Sequence, residues 1–328
     1  MSRGSRRSIV VFVVLVLLVA LLYGPSCAPP VDAVAELQRE TNVPLESLRV
    51  PTNGIELHVV VAGPEAGPPV VLLHGFPEFW MAYREQIRRL ANAGFRVLAP
   101  DQRGFNASDK PRRVEDYRME QLEADIIGLL DHFGIERAHL AGHDVGAWVA
   151  WHLAIVHPHR FRSLVVFNSG HPRAVVDEAD AQEKIGWHRT LARIPRLPDL
   201  VARPGNWWLV VSTLRRTARP GAFPDSLLPA YRYAWHRDGA MDSMASWLRA
   251  GPLYPRELPE DAIVRLPTLL VWGRDDAFLD FATAAPTLEL CADAALVEIP
   301  NAGHWLLHEE PAHTSQLLID FFQAVDRR

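Results

Sequence analysis

Between Ala138 and Ala147 the chain reads Ala-His-Leu-Ala-Gly-His-Asp-Val-Gly-Ala. A short apolar run enters a Gly-x-Asp-x-Gly turn and leaves as a segment rich in alanine and tryptophan, the pattern of a strand passing directly into a helix. Gly142 and Gly146 flank Asp144. Lacking side chains, they let the turn close tightly and push the central residue outward. A chain with such an elbow has to supply a sheet on one side of it and a helical layer on the other.

A residue presented in this way is a nucleophile by position, and its identity narrows the chemistry. Serine must lose a proton before it attacks; aspartate, with a reference pKa of about 3.9, is already an anion at neutral pH. A carboxylate attacking an ester forms a reactive anhydride, whereas attack on a saturated carbon bearing a leaving group forms a stable alkyl ester. The favoured substrates therefore carry an electrophilic sp3 carbon, as in an epoxide or a halide. A plain surface turn is the alternative, and the flanking strand and helix argue against it.

The rest of the chain supplies the layers. Ile55–Val61, Pro69–Leu73, Phe95–Pro100 and Ser163–Asn168 read as strands, with helical periodicity over Met81–Asn92 and Met119–Phe133 between them. Strands alternating with helices predict a parallel α/β sheet. The rhythm then stops from Arg173 to about Leu266, a Trp-, Arg- and Pro-rich stretch with helical segments at Glu183–Arg193, Trp207–Arg216, Ser226–His236 and Met241–Leu248. It reads as a helical insertion over the strand ends. Strands resume at Thr268–Trp272 and Ala295–Ile299, and Thr314–Val325 forms a last helix. The expected division is an N-terminal segment (1–33), a first core part (34–172), a helical cap (173–266) and a second core part (267–328).

The 328 residues, 48% hydrophobic and 22% charged, suit one large soluble domain with an insertion. A net charge of -5 offers no basic footprint for nucleic acid, which leaves a small molecule as the expected partner. Arg3, Arg6 and Arg7 precede an uninterrupted apolar run from Ile9 to Tyr23. As a helix that run spans roughly 22 Å, short of a hydrocarbon core of about 30 Å, so it reads as a signal peptide or a short membrane anchor. Val31-Asp-Ala33 offers a small-residue cleavage site. The two cysteines, Cys27 and Cys291, imply no disulfide framework.

An ester on Asp144 must be hydrolysed, which requires a base for water and a group to orient that base. Gly273-Arg-Asp-Asp276 and Asn301-Ala-Gly-His304 each follow a strand. In the nucleophile-elbow arrangement the order is nucleophile, acid, histidine, which Asp144, Asp276 and His304 obey. Asp275 is a rival for the acid. His308 and His313 give His304 a metal reading, but the His-Glu-x-x-His order is absent and Gly303 points to a loop. No metal or cofactor is called for. The backbone N–H groups of Val145, after the nucleophile, and of Phe76, in His74-Gly-Phe-Pro, are the expected oxyanion donors.

Together, His74-Gly-Phe-Pro-Glu78, Arg103-Gly-Phe-Asn-Ala-Ser-Asp-Lys-Pro111, Gly142-His-Asp-Val-Gly146 and Gly303-His-Trp305 resemble the epoxide hydrolase branch of the α/β-hydrolase superfamily from about Leu48 to the C-terminus. The resemblance implies a mostly parallel eight-stranded sheet flanked by helices, with a helical cap. It also implies attack of Asp144 on an oxirane carbon, then hydrolysis of the ester by water activated by His304 and Asp276, giving a vicinal diol. Some members of the branch carry an N-terminal membrane anchor.

The family uses two cap tyrosines to protonate the leaving oxygen. Here His188 and Leu248 stand at the corresponding positions. His188, Tyr231 and Tyr233 are the candidate replacements, with Tyr254 as a further cap tyrosine, and Trp187, Trp207, Trp208, Trp235 and Trp247 suggest a bulky apolar substrate. Loss of a general acid costs about 100- to 10,000-fold. That gap leaves haloalkane or haloacid dehalogenation as an alternative. Against it, Val145 replaces the tryptophan that haloalkane dehalogenases commonly carry, and Val145, Ala147 and Trp148 stand where fluoroacetate dehalogenases carry arginines. A ligand-binding protein on a retained scaffold is the reading from another class.

Overall fold

The structure is a computed structural model that describes residues 30–41, 43–177 and 194–328. The expected segments at residues 9–23 and 183–193, with Trp187 and His188, fall outside the described residues. Among the described residues no helix is long and apolar enough to cross a membrane.

Eight strands form one sheet: β1 (Leu45–Thr52), β2 (Ile55–Ala62), β3 (Pro69–Leu73), β4 (Arg96–Pro100), β5 (Ala138–His143), β6 (Phe161–Phe167), β7 (Thr268–Gly273) and β8 (Ala294–Ile299). Their spatial order is β1-β2-β4-β3-β5-β6-β7-β8. β2 pairs antiparallel with β1 and β4, and the other pairings are parallel. β5 and β7 are buried at every residue, as a sheet covered on both faces requires.

The sequence reading missed β1. It is an edge strand with Pro51 near its end and four exposed residues, so it lacks the apolar run that marks the central strands. The turn that joins it to β2 is Asn53-Gly54 with φ of 42° and 74°, the left-handed pair a two-residue hairpin needs.

Helices α1 (Ala33–Thr41), α2 (Arg84–Asn92), α3 (Met119–His132) and α4 (Val145–Val156) precede β6. The carboxylate of Asp32 accepts the Ala35 N–H at 3.0 Å and so caps α1. Cleavage after Ala33 would remove that cap. Between β6 and β7 the described residues contain helices and no strand: α5 (Pro172–Asp177), α6 (Leu197–Ala202), α7 (Pro204–Thr217), α8 (Leu228–His236) and α9 (Ala240–Leu253). The first turn of α7 is broken by left-handed φ values of 64°, 57° and 65° at Gly205, Asn206 and Trp207. α10 (Ala284–Glu289), α11 (Leu306–Glu309) and α12 (Pro311–Asp326) complete the chain, with α12 packed against α2.

The cap is fastened to the core by tryptophan N–H groups. Trp235 donates to the Pro77 carbonyl at 2.6 Å and Trp247 to the Arg103 carbonyl at 2.9 Å, while the core residue Trp305 donates to Thr217 at 2.9 Å. Burying an indole is favourable only when its N–H finds an acceptor, and the core loops supply two of these.

Candidate active site

The loops leaving β3, β5, β6, β7 and β8 converge at the carboxyl ends of the strands, the edge where open α/β sheets bind ligands. Asp144 leaves β5 with φ 50° and ψ −121°, a conformation L-residues rarely adopt. Both flanking glycines are required sterically. A Cβ on Gly142 would lie 2.7 Å from the Gly146 carbonyl oxygen, and one on Gly146 would lie 2.4 Å from the carbonyl oxygens of both Leu73 and His74. The elbow is thus wedged against the end of β3, which brings the His74-Gly-Phe loop over Asp144. The Phe76 N–H donates to Asp144 Oδ2 at 2.8 Å. Val145 opens α4, so its N–H has no acceptor within the helix, and it lines a cavity together with Asp144 and Phe76.

His304 Nδ1 lies 2.9 Å from Asp276 Oδ2, and Nε2 lies 3.9 Å from Asp144 Oδ1. Of the two candidate acids, Asp275 is exposed and Asp276 is buried. Asp276 Oδ1 accepts the N–H groups of Phe278 and Leu279 at 2.7 and 2.9 Å, and Oδ2 accepts Asn168 Nδ2 at 2.5 Å. Burial opposes ionisation of Asp276, but the adjacent His304 and these donors outweigh it and hold the carboxyl below its usual range. For His304 burial disfavours the charge, yet the negative charges of Asp276 and Asp144 prevail and raise its pKa to about 9. The raised pKa favours the protonated form of His304 where it lies between Asp276 and Asp144.

Sequence reasoning gave Asn168 no role. It sits after β6 with φ 48°, binds Asp276 and the Gly303 carbonyl, and accepts the Gly273 N–H, joining three of the converging loops. Glu78 was also passed over. Its carboxylate is buried, accepts the Tyr231 hydroxyl at 2.7 Å and lies 2.6 Å from His308 Nε2; His143 Nδ1 is 3.6 Å away. Arg84 donates to His308 Nδ1 at 2.7 Å, so a neutral His308 presents Nε2–H to Glu78.

These bonds relocate two of the expected cap residues. The Tyr231 hydroxyl is engaged by Glu78, and Tyr233 lies half-buried under Arg237 at 5.1 Å; neither lines the cavity above Asp144. Nor do the described cap tryptophans: Trp207, Trp235 and Trp247 are buried in packing and Trp208 is 60% exposed. The cavity, about 120 Å³, is walled by aliphatic cap residues including Val201, Leu209, Met241 and Leu248, with Trp148 and Trp305 from the core. Leu248, at a position where the resemblance implies tyrosine, faces this space without a donor. Among the described residues no group of three or more His, Cys, Asp or Glu could hold a metal ion.

Residues 68–203 match the family described as alpha/beta hydrolase fold. The AB hydrolase superfamily protein YfhM of Bacillus subtilis (strain 168) is 38% identical over 278 residues, 84% of this chain and 96% of that protein. Epoxide hydrolase A of Mycobacterium tuberculosis (strain ATCC 25618 / H37Rv) is 32% identical over 87% of this chain and 99% of its own length. A solved structure from metagenomes of hot environments, described as a novel epoxide hydrolase, superposes with a TM-score of 0.75 at 29% identity, covering 85% of this chain and 98% of that one. With the elbow, the sheet order and these relatives in hand, the chain belongs to the epoxide hydrolase-like branch of the α/β-hydrolase superfamily.

Proposed function

We propose that the protein converts an apolar epoxide to a vicinal diol through an ester on Asp144. The observation that carries this reading is the placing of an aspartate side chain, not a hydroxyl, at the elbow, with Oδ2 held by the Phe76 N–H and Oδ1 beside His304. Asp144 attacks an oxirane carbon and the ring oxygen leaves as an alkoxide that takes up a proton. Esterification removes the negative charge of Asp144, one of the charges that raise the His304 pKa. The pKa falls, His304 gives its proton to solvent, and the neutral imidazole takes a proton from a water that attacks the ester carbonyl. The tetrahedral oxyanion forms against the N–H groups of Phe76 and Val145. It then collapses, breaking the ester C–O bond; the departing diol oxygen takes the proton back from His304, and Asp144 is regenerated.

For the proton on the leaving oxygen we assign His188, because it occupies one of the two tyrosine positions that the resemblance implies. Residues 173–266 serve in this reading as the substrate cap. Residues 9–23 serve as an export signal or short membrane anchor. Fractionation and N-terminal sequencing of the full chain made in a bacterial host distinguish cleavage after Ala33 from retention in the membrane.

The test is single-turnover mass spectrometry of the His304→Gln variant with styrene oxide and, in a parallel arm, a haloalkane. Without the base the ester should persist, and Asp144 should gain the mass of the whole epoxide. A gain of the alkyl group without halogen would reassign the chemistry to dehalogenation. No adduct from either reagent would sink the covalent reading.

A further inference from the structure

A second cavity of about 560 Å³ lies beside the one above Asp144, and Trp148 is the one described residue common to both walls. Trp148 is four residues after Asp144, one helical turn along α4, and its N–H donates to the Asp144 carbonyl at 3.2 Å. The cap side is divided in the same way by α9. Met241, Ala245 and Leu248, at helical spacing, face the first cavity; Trp247 and Gly251, four apart, face the second. Trp247 is pinned by its bond to the Arg103 carbonyl and by the edge of Phe105 at 5.4 Å. Trp148, only half-buried, is the ring left as the partition.

The first cavity, at about 120 Å³, is small beside the range of about 300–1,000 Å³ usual for ligand sites; joined to the second it falls inside that range. The second wall suits an uncharged, aromatic-bearing group. Tyr117, Tyr254, Trp148 and Trp247 contribute rings, and its two arginines are engaged elsewhere: Arg256 by Glu123 and Glu120, Arg173 by the carbonyls of Pro259 and Glu260. His152 is kept neutral by burial, its pKa lowered to about 4.

We propose that the second cavity receives the distal aryl substituent of the substrate, with Trp148 as the residue that sets the largest epoxide reaching Asp144. This deepens the epoxide hydrolase reading and rests on it for the identity of the reacting group. The reaction centre stays under Asp144 and His304, and a second ring on the far side of the oxirane lies past Trp148.

The experiment compares kcat/KM for trans-stilbene oxide, which carries two rings, with that for styrene oxide, which carries one. Trp148→Ala should raise this ratio by about tenfold or more, the scale on which pocket size discriminates. Gly251→Trp fills the second cavity from the cap side, where a Cβ meets no atom within 4 Å. Added to Trp148→Ala it should return the ratio to near the wild-type value. Calorimetric binding of the two-ring product diol, which needs no turnover, should follow the same order. Circular dichroism and thermal melts establish that each variant is folded. A ratio unmoved by Trp148→Ala, or raised by it but indifferent to Gly251→Trp, overturns the proposal. Failure of the wild-type protein to open either epoxide overturns the epoxide reading instead, and the diol binding series still decides the fate of the second cavity.

Discussion

A carboxylate nucleophile removes the need for a base in the first step and moves the demand to the leaving group. An alkoxide expelled toward Val201, Leu209, Met241 and Leu248 meets no hydrogen-bond donor on those side chains, so a proton donor must reach it. The engagement of Tyr231 by Glu78 separates two candidates cleanly. His188→Ala should slow ester formation by about 100- to 10,000-fold, the range for a lost general acid, in a stopped-flow single-turnover assay. Tyr231→Phe should change that step by only a few fold, while destabilising the fold by about 1.5–3 kcal/mol in urea unfolding through loss of a hydrogen bond to a charged group. The reverse pattern would move the acid to Tyr231. At this scale the positions of Asp144 and His304 were legible in the sequence because each follows a strand in a characteristic turn, whereas only the folded chain shows that Asp276, and not the exposed Asp275, lies against His304. Asn168 and Glu78 were not legible: an Asn ending a strand or a Glu after Pro is ordinary in any loop. Their importance lies in partners more than a hundred residues away, Asp276 and His308.

At the scale of elements, the site is an intersection of strand ends, and its precision depends on how closely α4 can approach β3. Gly146 sets that distance. In Gly146→Ala the new methyl group would sit 2.4 Å from two carbonyl oxygens of the β3 end, which cannot retreat without moving the Phe76 N–H that holds Asp144. We expect the variant to lose about 3 kcal/mol in urea unfolding, the upper end of the usual overpacking cost, and to lose activity with it. An unaltered midpoint would mean that the elbow packs more loosely than these distances imply. Most elements were readable from periodicity; three insertion helices were read, with Met241–Leu248 extending to Ala240–Leu253, while the short α5 and α6 were missed because six residues are too few to show a helical period. β1 escaped because an edge strand buries few of its residues, and a reading of the Asn53-Gly54 hairpin signal would have recovered it. The cap tryptophans show the same limit of composition. Composition announces large aromatic rings, but only tertiary contacts decide that Trp235 and Trp247 turn their N–H groups to core carbonyls while aliphatic residues take the cavity.

For the molecule as a whole, the buried histidines should place maximum stability near pH 6.5, and the signs can be worked through group by group. His139, His152 and His171 have pKa values lowered by burial to about 4, so between about 4 and 6.5 the unfolded chain binds more protons than the folded one. Stability rises with pH across that interval. His304 is the opposite case. Its pKa is raised to about 9 despite burial, by Asp276 and Asp144, so the folded protein binds the extra proton. Its contribution is fully present below about 6.5 and is lost as pH climbs toward 9. Lys110, lowered to about 8 mainly by burial, begins to offset that loss only above pH 8. The melting temperature should therefore rise from pH 5 to about 6.5 and fall from there to about 8. In His304→Gln the acidic rise should remain and the decline above 6.5 should flatten, as read by differential scanning calorimetry in buffers of matched ionic strength. Parallel wild-type and variant curves between pH 6.5 and 8 would show that His304 does not hold its proton in the free enzyme. In that case it would be a competent base before Asp144 is esterified, and charge neutralisation would no longer be what readies the site for the second step.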